Sequence, residues 1–264
     1  FTLNYLRYQQ LRRSLNLNIH FFGGIFRDTL IYSNEPHNSE VYDLFGGSAF
    51  NMASIAVNFF ENVFLHSSIG TDWSVSFKKE NQRIRTDFLT VSETFRTARF
   101  ISVNNEVLAV DRKILDQYSI DELSNIDSES DVAVLTTELS KKNIQTVLSK
   151  KWFKLFIDAG PRPYLIDIKD IEDAFVLGNR KEASVVNCDI IKCGHNGAIY
   201  KNTIFSSDNI IYKYPIGCGD IFDAIFICAV LKGIPYDQAV RNAVNVASIC
   251  SSVPEKNKLL TDIL

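Results

Sequence analysis

The residue types most able to do chemistry in this 264-residue chain stand together in residues 215–226, which read PIGCGDIFDAIF. Gly217 and Gly219 flank Cys218, Asp220 follows at once, and an apolar helical pattern begins behind them. Glycines can bend the backbone so that successive N–H groups converge, and the helix adds its own unpaired N–H groups and a partial positive charge. This arrangement predicts a local anion-binding site that needs no positively charged side chain.

Asp220 has two interpretations at this position. It can be the N-cap of the helix, a role that aspartate fills in many helices and that requires no preceding glycines. Alternatively, its carboxylate can accept a proton from an alcohol that attacks a phosphorus atom held by the same turn. The helix terminus should keep that carboxylate ionised at pH 7. Spacing alone does not decide between the two interpretations.

The positions of the other glycines indicate the elements that hold this segment. The chain has 12 glycines, fewer than the ~18 of an average chain of this length, and most follow a strand-like run. Open α/β sheets place ligand-binding loops at such strand ends. Apolar runs such as NIHFFGG, NVFLHSSIG, DVAVLTT, FKLFID and DIIKCG alternate with helical patterns at residues 48–60, 140–149, 220–233 and 235–250. The alternation predicts a three-layer α/β/α protein with a mostly parallel sheet.

Two segments, residues 29–45 and 87–113, depart from this alternation and read as short successive strands, with Asn104-Asn105 as a hairpin turn. No internal repeat or low-complexity linker separates them from the rest. We therefore expect a single domain over residues 1–264, with a small β-sheet lid inserted at these two segments. An apolar lid can pair with a second copy, so a homodimer through the lid is the oligomer we consider.

Composition limits the class of protein and its partners. A net charge of −3 gives no broad basic surface for nucleic acid, and the absence of an 18-residue apolar run argues against a membrane span. The start, FTLNYLRYQQLRRSLNLN, is basic but lacks the apolar stretch of a secretory signal, and we expect a short amphipathic or disordered lead-in there. The five cysteines are odd in number and include no Cys-x-x-Cys. We expect free thiols in a reducing cytoplasm rather than disulfides or zinc.

Eight segments resemble, in the same order along most of the chain, the motifs of the PfkB (ribokinase-like) carbohydrate kinases. GCGDIF is similar to the family's G-A-G-D-x-F signature, GGSAFN to G-G-x-x-x-N, IGTDW to G-x-D-x-x-G and NRKE to N-x-x-E. GGIFRD resembles the first-strand segment whose acid binds the sugar, and TTEL resembles the strand end that carries a glutamate. DAGPRPYL resembles D-P-N-x-R-x-x-L, and KCGHNGA resembles T-L-G-x-x-G-A. The resemblance implies a ribokinase-like fold and ATP-dependent phosphoryl transfer to a hydroxyl of a small sugar or sugar acid.

The resemblance also implies roles for the matching residues. Asp220 would be the general base, and the N–H groups of residues 217–220 would stabilise charge on the transferred phosphoryl group. Asn179 and Glu182 would hold Mg²⁺ through water, although without the family NRKE reads as a helix N-cap with a first-turn acid. The substrate would contact Asp28, Gly46, Gly47, Asn51, Glu138, Arg112 and Arg162, and the arginines can equally be surface residues. ATP would lie against Asn179, Lys192, Gly194, Gly197, Gly217, Gly219, Ala243 and Ala247.

Two departures from the family pattern bear on these expectations. Tyr214, Pro215 and Ile216 stand where the family has a polar trio, which puts activation by a monovalent cation in doubt. Lys192 stands where the family has threonine. A lysine there can reach the phosphates of ATP, or it can simply end the strand in solvent.

Two other functions remain open at this point. A nucleoside kinase of the same family would need a larger apolar acceptor pocket, which could be lined by Phe26, Phe45, Phe100 and Tyr42. A catalytically silent relative that binds sugar or a partner protein would fit the altered trio but would not need Asp220. A dinucleotide-binding oxidoreductase fails in detail, because Phe222 occupies the third glycine position of that fingerprint and no strand-end acid follows.

Overall fold

A computed structural model of the chain describes residues 17–35, 37–120, 123, 126–167, 171, 173–207, 212–256 and 259–260. The basic lead-in predicted at the start of the chain lies outside these residues, apart from its last two. In the described part of the chain, no helix is long and apolar enough to cross a membrane. The five cysteines are free thiols, as predicted, and Cys218, Cys228 and Cys250 are buried.

The described residues form two sheets and six α-helices. In chain order the strands are β1 (Asn18–Phe22), β2 (Phe26–Glu35), β3 (Asn38–Gly46), β4 (Asn62–Gly70), β5 (Leu89–Ser92), β6 (Ala98–Val103), β7 (Glu106–Asp111), β8 (Val132–Thr136), β9 (Lys154–Asp158), β10 (Ala174–Asn179), β11 (Ile190–Lys192), β12 (Ala198–Tyr200) and β13 (Thr203–Phe205). The helices are α1 (Ser48–Ala56), α2 (Thr71–Glu80), α3 (Lys113–Gln117), α4 (Lys141–Leu148), α5 (Cys218–Leu231) and α6 (Tyr236–Cys250).

The large sheet has the strand order β13-β12-β11-β10-β9-β8-β1-β4-β5. Strands β11 to β5 in this order pair in parallel, and β12 and β13 extend the sheet in antiparallel pairing. Its alternating side chains are buried on both faces. Phe21 and Val134 join the apolar core that α1, α5 and α6 cover, whereas Phe22 and Leu135 join the core that α4 covers. The mostly parallel, three-layer architecture predicted from the sequence is confirmed.

The small sheet has the order β3-β2-β6-β7 and comes from the two segments predicted as the lid. Asn104 and Asn105 turn the chain between β6 and β7 with φ angles of 49° and 69°, the left-handed values of a tight hairpin turn. Leu89–Ser92 falls in the second predicted segment but pairs with β4 in the large sheet. Of that segment, the small sheet therefore takes only the residues from Ala98 onward.

Three neighbouring strands of the large sheet end in polar residues. Strands β9, β10 and β11 end at Asp158, Asn179 and Lys192, and the parallel register places Asn179 directly beside Lys192. The carboxyl ends of parallel strands are the edge at which α/β folds bind ligands. The architecture thus brings these three side chains to one place.

Candidate active site

A cavity of about 660 Å³ opens between this edge of the large sheet and the small sheet. Phe26, Phe100 and Val110 contribute an apolar wall from the small sheet. Most of the residues predicted as site residues line the cavity: Asp28, Gly47, Asn51, Arg112, Glu138, Asn179, Glu182, Lys192, Gly194, Gly197, Gly217, Cys218, Gly219, Asp220 and Ala247.

The glycine turn before α5 differs from the prediction in one respect. Gly217 precedes α5 with a φ of 80°, a conformation that glycine adopts without steric cost. The helix already begins at Cys218, so Gly219 lies in its first turn rather than in the bend. The N–H of Cys218 donates to the carbonyl of Pro215, whereas helical geometry leaves the N–H groups of Gly219 and Asp220 without an intrahelical acceptor. These two amides lie at the positive end of the helix dipole and can bind an anion.

Asp220 lies in the first turn of α5 and lines the cavity. The N-cap interpretation is wrong, because Gly217 holds that position without a side-chain hydrogen bond. Asn51 Nδ2 donates a hydrogen bond of 2.7 Å to Asp220 Oδ2. Burial, followed by the nearby carboxylate of Asp158, raises the pKa of Asp220, and hydrogen bonds from Asn51 and Ser48 act in the opposite direction. The sequence analysis expected the helix terminus to keep the Asp220 carboxylate ionised. It did not include burial, which acts in the opposite direction. A raised pKa makes the carboxylate a better proton acceptor.

Asp28, on β2, presents a carboxyl oxygen that has no hydrogen-bond partner among the residues that the structure describes. Burial, followed by the charges of Asp220 and Glu138, raises the pKa of Asp28 to about 8. The carboxyl group packs against Gly46 so closely that a side chain at position 46 would overlap with it. Gly46 therefore makes room for Asp28 and does not itself line the cavity. Asp28 Oδ1 is buried and lacks a hydrogen-bond partner in the described part of the chain, which fits recognition of a ligand hydroxyl.

Glu138 is buried at the amino-terminal end of α1. Its carboxylate accepts hydrogen bonds from the N–H groups of Gly24 (2.8 Å) and Ser48 (2.9 Å) and from Thr136 Oγ1 (3.0 Å). Burial outweighs these bonds and raises the pKa of Glu138 to about 7. Because α1 carries Asn51, Glu138 positions the residue that contacts Asp220. The contact between Glu138 and the substrate stays a prediction. The hydrogen bonds of Glu138 indicate a second role, in positioning α1, that the sequence did not suggest.

Lys192 is held by two carboxylates instead of ending the strand in solvent. Its Nζ lies 3.1 Å from Asp158 Oδ1 and 2.6 Å from Asp223 Oδ2. Burial lowers the pKa of Lys192, but the two carboxylates raise it by more, so the net shift is upward. The ammonium group therefore carries its charge at neutral pH.

Asn179 and Glu182 bond to each other in a closed pattern. Asn179 Oδ1 accepts the N–H groups of Lys181 (2.8 Å) and Glu182 (3.1 Å), and the Glu182 carboxylate accepts the main-chain N–H (2.7 Å) and Nδ2 (2.6 Å) of Asn179. This is the reciprocal pattern of a capping box, at the start of the short 3₁₀ helix Glu182–Ser184. The first-turn acid of the alternative interpretation of NRKE is present, but the N-cap of the 3₁₀ helix is Lys181 and not Asn179. Both side chains also line the cavity, where their oxygens remain able to bind metal-coordinated water.

Arg162 does not line the cavity, and its position corrects the predicted substrate contact. Its guanidinium donates to the main-chain carbonyls of Thr137, Glu138 and Leu139 and to the carboxylate of Asp116. The guanidinium thus joins the loop after β8 to Asp116 of α3. Arg162 stabilises that loop and lies outside the cavity in which a substrate would bind.

The residues of α6 that face the cavity differ in part from those predicted to face adenine. Ala243 is fully buried in the core and does not reach the cavity. Ala247 does line the cavity, together with Val244 and Ser248. Gly194 and Gly197 also line the cavity, and their φ angles of 61° and 83° lie in the left-handed region that favours glycine.

Sequence reasoning missed two acids that the fold brings to Lys192. Asp158 ends β9 directly before the Ala-Gly pair, and strand-end acids of a parallel sheet are a recognisable signal. Asp223 stands three residues after Asp220 in an otherwise apolar helix pattern, where a charged residue requires a partner. The unexpected lysine at position 192 was the signal for that partner.

Comparison with known proteins adds one finding to this geometry. No protein-family model and no curated protein matches the sequence. Among solved structures, the chain is similar to ribokinase from Cryptococcus neoformans var. grubii in complex with ADP, at 14% identity and a TM-score of 0.75, over 94% of this chain and 100% of that one. The chain has the ribokinase fold.

Two further structures share the ribokinase fold with this chain. One is ribokinase from Arabidopsis thaliana complexed with ribose and ATP, at 13% identity and a TM-score of 0.72, over 94% of this chain and 98% of that one. The other is a nucleoside kinase from Burkholderia thailandensis in complex with inosine, at 15% identity and a TM-score of 0.71, over 91% and 92% of the two chains. The ribokinase fold predicted from the sequence motifs is confirmed.

Proposed function

We propose that the protein transfers the γ-phosphoryl group of ATP to a hydroxyl group of a small sugar or sugar acid. One observation carries the proposal: Asp220 faces the cavity from the first turn of α5, beside two amides that are free to bind an anion. A proton acceptor and an anion site within one helical turn are the two parts that phosphoryl transfer to an alcohol requires. Proteins of the same fold in complex with ADP, or with ribose and ATP, support this assignment.

The acceptor hydroxyl would be held between Asp28 and Asp220. Asp28 Oδ1 has no partner in the described residues, and Asn51 fixes the carboxylate of Asp220 through the 2.7 Å hydrogen bond. In the reaction, the hydroxyl oxygen forms a bond to the γ-phosphorus while the bond from phosphorus to the β–γ bridging oxygen breaks. Asp220 takes the hydroxyl proton, and ADP is the leaving group. The amides of Gly219 and Asp220 stabilise the negative charge on the phosphoryl oxygens.

The residues at the phosphate side fit a hydrated magnesium ion. Mg²⁺ prefers oxygen ligands and usually retains several waters, and Asn179 and Glu182 offer oxygens at the cavity wall whose geometry the capping box fixes. We infer that these two residues hold the ion through water. When bound, Mg²⁺ would neutralise charge on the phosphates. The nucleotide base would lie against Val244, Ala247 and Ser248 of α6.

A nucleoside acceptor is the second candidate. Phe26, Phe100 and Val110 give the cavity an apolar wall on the acceptor side, and a nucleoside kinase in complex with inosine has the same fold. Of the two other aromatic residues considered for this wall, Tyr42 does not line the cavity, and Phe45 lines a neighbouring cavity that shares Asp28 and Asn51 with it. The apolar wall is therefore smaller than the nucleoside hypothesis expects.

A coupled assay of ADP release tests the proposal. The protein is incubated with ATP and Mg²⁺ and with a panel of pentoses, hexoses, sugar acids and nucleosides. We expect at least one sugar or sugar acid to raise ADP release well above the acceptor-free rate, with a phosphorylated product detected by mass spectrometry. Stimulation by nucleosides alone would select the second candidate. If no acceptor raises ADP release, the kinase assignment fails.

A further inference from the structure

The ion pairs of Lys192 are unusual for a strand end beside a ligand cavity. The Nζ atom lies between Asp158 Oδ1 at 3.1 Å and Asp223 Oδ2 at 2.6 Å. The Asp223 side chain is fully buried, the Asp158 side chain is 5% exposed, and the Lys192 side chain is 14% exposed. The lysine is the most exposed member of this triad, and it lines the cavity together with Asp158, whereas Asp223 does not.

The triad places the ammonium group at the amide turn. A Cβ atom built on Gly219 would lie 3.7 Å from Lys192 Nζ, and the N–H of Gly219 is one of the two amides without an intrahelical acceptor. Asn179 is the register neighbour of Lys192 on β10. A phosphate that bound the amides would therefore come within reach of the ammonium group.

Stability alone does not account for this triad. Replacing a buried ion pair by apolar side chains of similar volume is often neutral or stabilising, so that such a pair is weak evidence for a stabilising role. One oxygen of Asp223, Oδ1, has no hydrogen-bond partner in the described part of the chain, which adds to the cost of burying it. The negative charges of Asp158, Asp223 and Glu182 surround Lys192, and Asp220 is also near. Without Lys192, this end of the cavity would repel phosphate.

We propose that Lys192 donates a hydrogen bond to the β-phosphate oxygen from which the phosphoryl group is transferred, and that Asp223 is the positioning residue that holds its ammonium group at the amide turn. The inference rests on the proposed function and adds to it a fixed cation that the protein itself supplies. No proton or covalent bond changes at Lys192. Its charge offsets that of this β-phosphate oxygen before transfer and the charge that develops on it as ADP leaves.

Nucleotide affinity measured without metal tests this role independently of turnover. Isothermal titration calorimetry in EDTA compares ADP with adenosine for the wild type, for the charge-free variant Lys192→Met/Asp223→Asn, and for Asp223→Asn alone. We expect the double variant to bind ADP at least ~10-fold more weakly, the lower range for a charge-assisted hydrogen bond, and to bind adenosine as the wild type does. Asp223→Asn leaves Lys192 with Asp158, so we expect a smaller loss of ADP affinity in the same direction.

Lys154→Met is the matched control, because Lys154 begins β9 at the opposite edge of the same sheet. It should bind both ligands as the wild type does. Equal ADP affinity in the wild type and both Asp223 variants would overturn the role of Lys192 while leaving the kinase assignment intact. Parallel losses of ADP and adenosine affinity would also overturn it, because they would indicate a structural role. If the wild type itself binds ADP no better than adenosine, both this inference and the nucleotide part of the proposed function fail.

Discussion

Two of the polar side-chain groups in the described part of the chain differ in their access to solvent. One group, Asp28, Asn51 and Asp220, lines the cavity. The other lies inside the large sheet, where His20 Nδ1 lies 2.9 Å from His66 Nε2 and His20 Nε2 lies 3.2 Å from Asp131 Oδ2. His20 is 3% exposed and His66 is 1% exposed. Aromatic rings pack around the two histidines: Phe22, Phe64, Phe88 and Trp152.

Both groups have displaced pKa values, so displacement alone does not identify a functional site. Burial lowers the pKa of His20 to about 4 and raises that of Asp28 to about 8. The histidine group is closed by aromatic packing, and its titration can affect only folding. The cavity group combines a displaced pKa with solvent access and with an oxygen on Asp28 that lacks a partner within the described ranges. Perturbed groups indicate function when they also lie in a cleft, and the predictions below separate the two cases.

The largest effect is expected from Asp220→Asn. We expect kcat to fall at least ~10²-fold, the lower range for removal of a positioned base, while the affinity for ADP is unchanged. Because burial and Asp158 disfavour the charged carboxylate, a neutral amide at this position should not lower the melting temperature. Steady-state kinetics and calorimetry of the purified variant measure both quantities.

Asp237→Asn is the matched control for that variant, since Asp237 is the first-turn acid of the next helix, α6, and is exposed. Its kcat should equal that of the wild type. Equal turnover in Asp220→Asn would remove Asp220 from the mechanism. A melting temperature lowered by several degrees would instead place Asp220 with the structural group.

Asp28→Asn should weaken binding of the acceptor and leave binding of ATP unchanged. Losing one hydrogen bond to a substrate hydroxyl should raise the KM of the acceptor about 10-fold, with the KM of ATP unchanged. The folded protein holds the Asp28 proton up to a pH of about 8 whereas the unfolded chain releases it near its usual pKa of 3.8. Stability is therefore lost as pH rises through this window in the wild type, and the variant should gain stability relative to it.

Asp43→Asn provides the comparison within the small sheet, because Asp43 already accepts hydrogen bonds from Arg27 and Thr29. We expect no change in acceptor KM for this variant. A raised KM for ATP in Asp28→Asn, with an unchanged KM for the acceptor, would place Asp28 on the wrong side of the reaction.

The histidine group should show the opposite behaviour, with an effect on stability and none on kinetics. His66→Leu removes the 2.9 Å contact and leaves a buried polar nitrogen on His20, which should cost about 1–3 kcal/mol at pH 7. The pKa of His66 is lowered well below 6.5 by burial and by His20. Protonation of the unfolded chain therefore reduces wild-type stability as pH falls below 6.5.

The variant lacks His66, so its free energy of unfolding should fall less than that of the wild type between pH 7 and pH 5. The difference between the two proteins should therefore be smaller at pH 5, by up to about 2 kcal/mol. Denaturant unfolding at pH 7 and pH 5 measures the two free energies of unfolding. A lowered kcat in His66→Leu would show that the aromatic packing does not isolate the group from the active site.

The sequence predicted the layers of the fold and the main parts of the site because both depend on local signals. Strand-end glycines, the Asn104-Asn105 turn and the glycine–aspartate segment before α5 can each be interpreted from a few neighbouring residues. The resemblance to the family motifs then implied that these segments come together in one active site.

What the sequence could not predict depends on long-range contacts. Lys192 meets Asp223 across 31 residues of chain, and Arg162 is occupied by carbonyls of the loop after β8, to which the sequence pattern gives no clue. Similarly, the bend before α5 uses only Gly217, because the helix begins at Cys218, two residues before the predicted start at residue 220. In each case the packing of distant segments decided which side chains remained available to the cavity.

The pH dependence of single-turnover phosphoryl transfer tests the central claim most directly. At saturating ATP and acceptor, the rate in the wild type should fall as pH is lowered through the raised pKa of Asp220, with an inflection above the usual aspartate pKa of 3.8. In Asp220→Asn the residual rate should lose that inflection, because no carboxylate remains at this position to be protonated. The same inflection in both proteins would contradict the assignment of Asp220 as the proton acceptor.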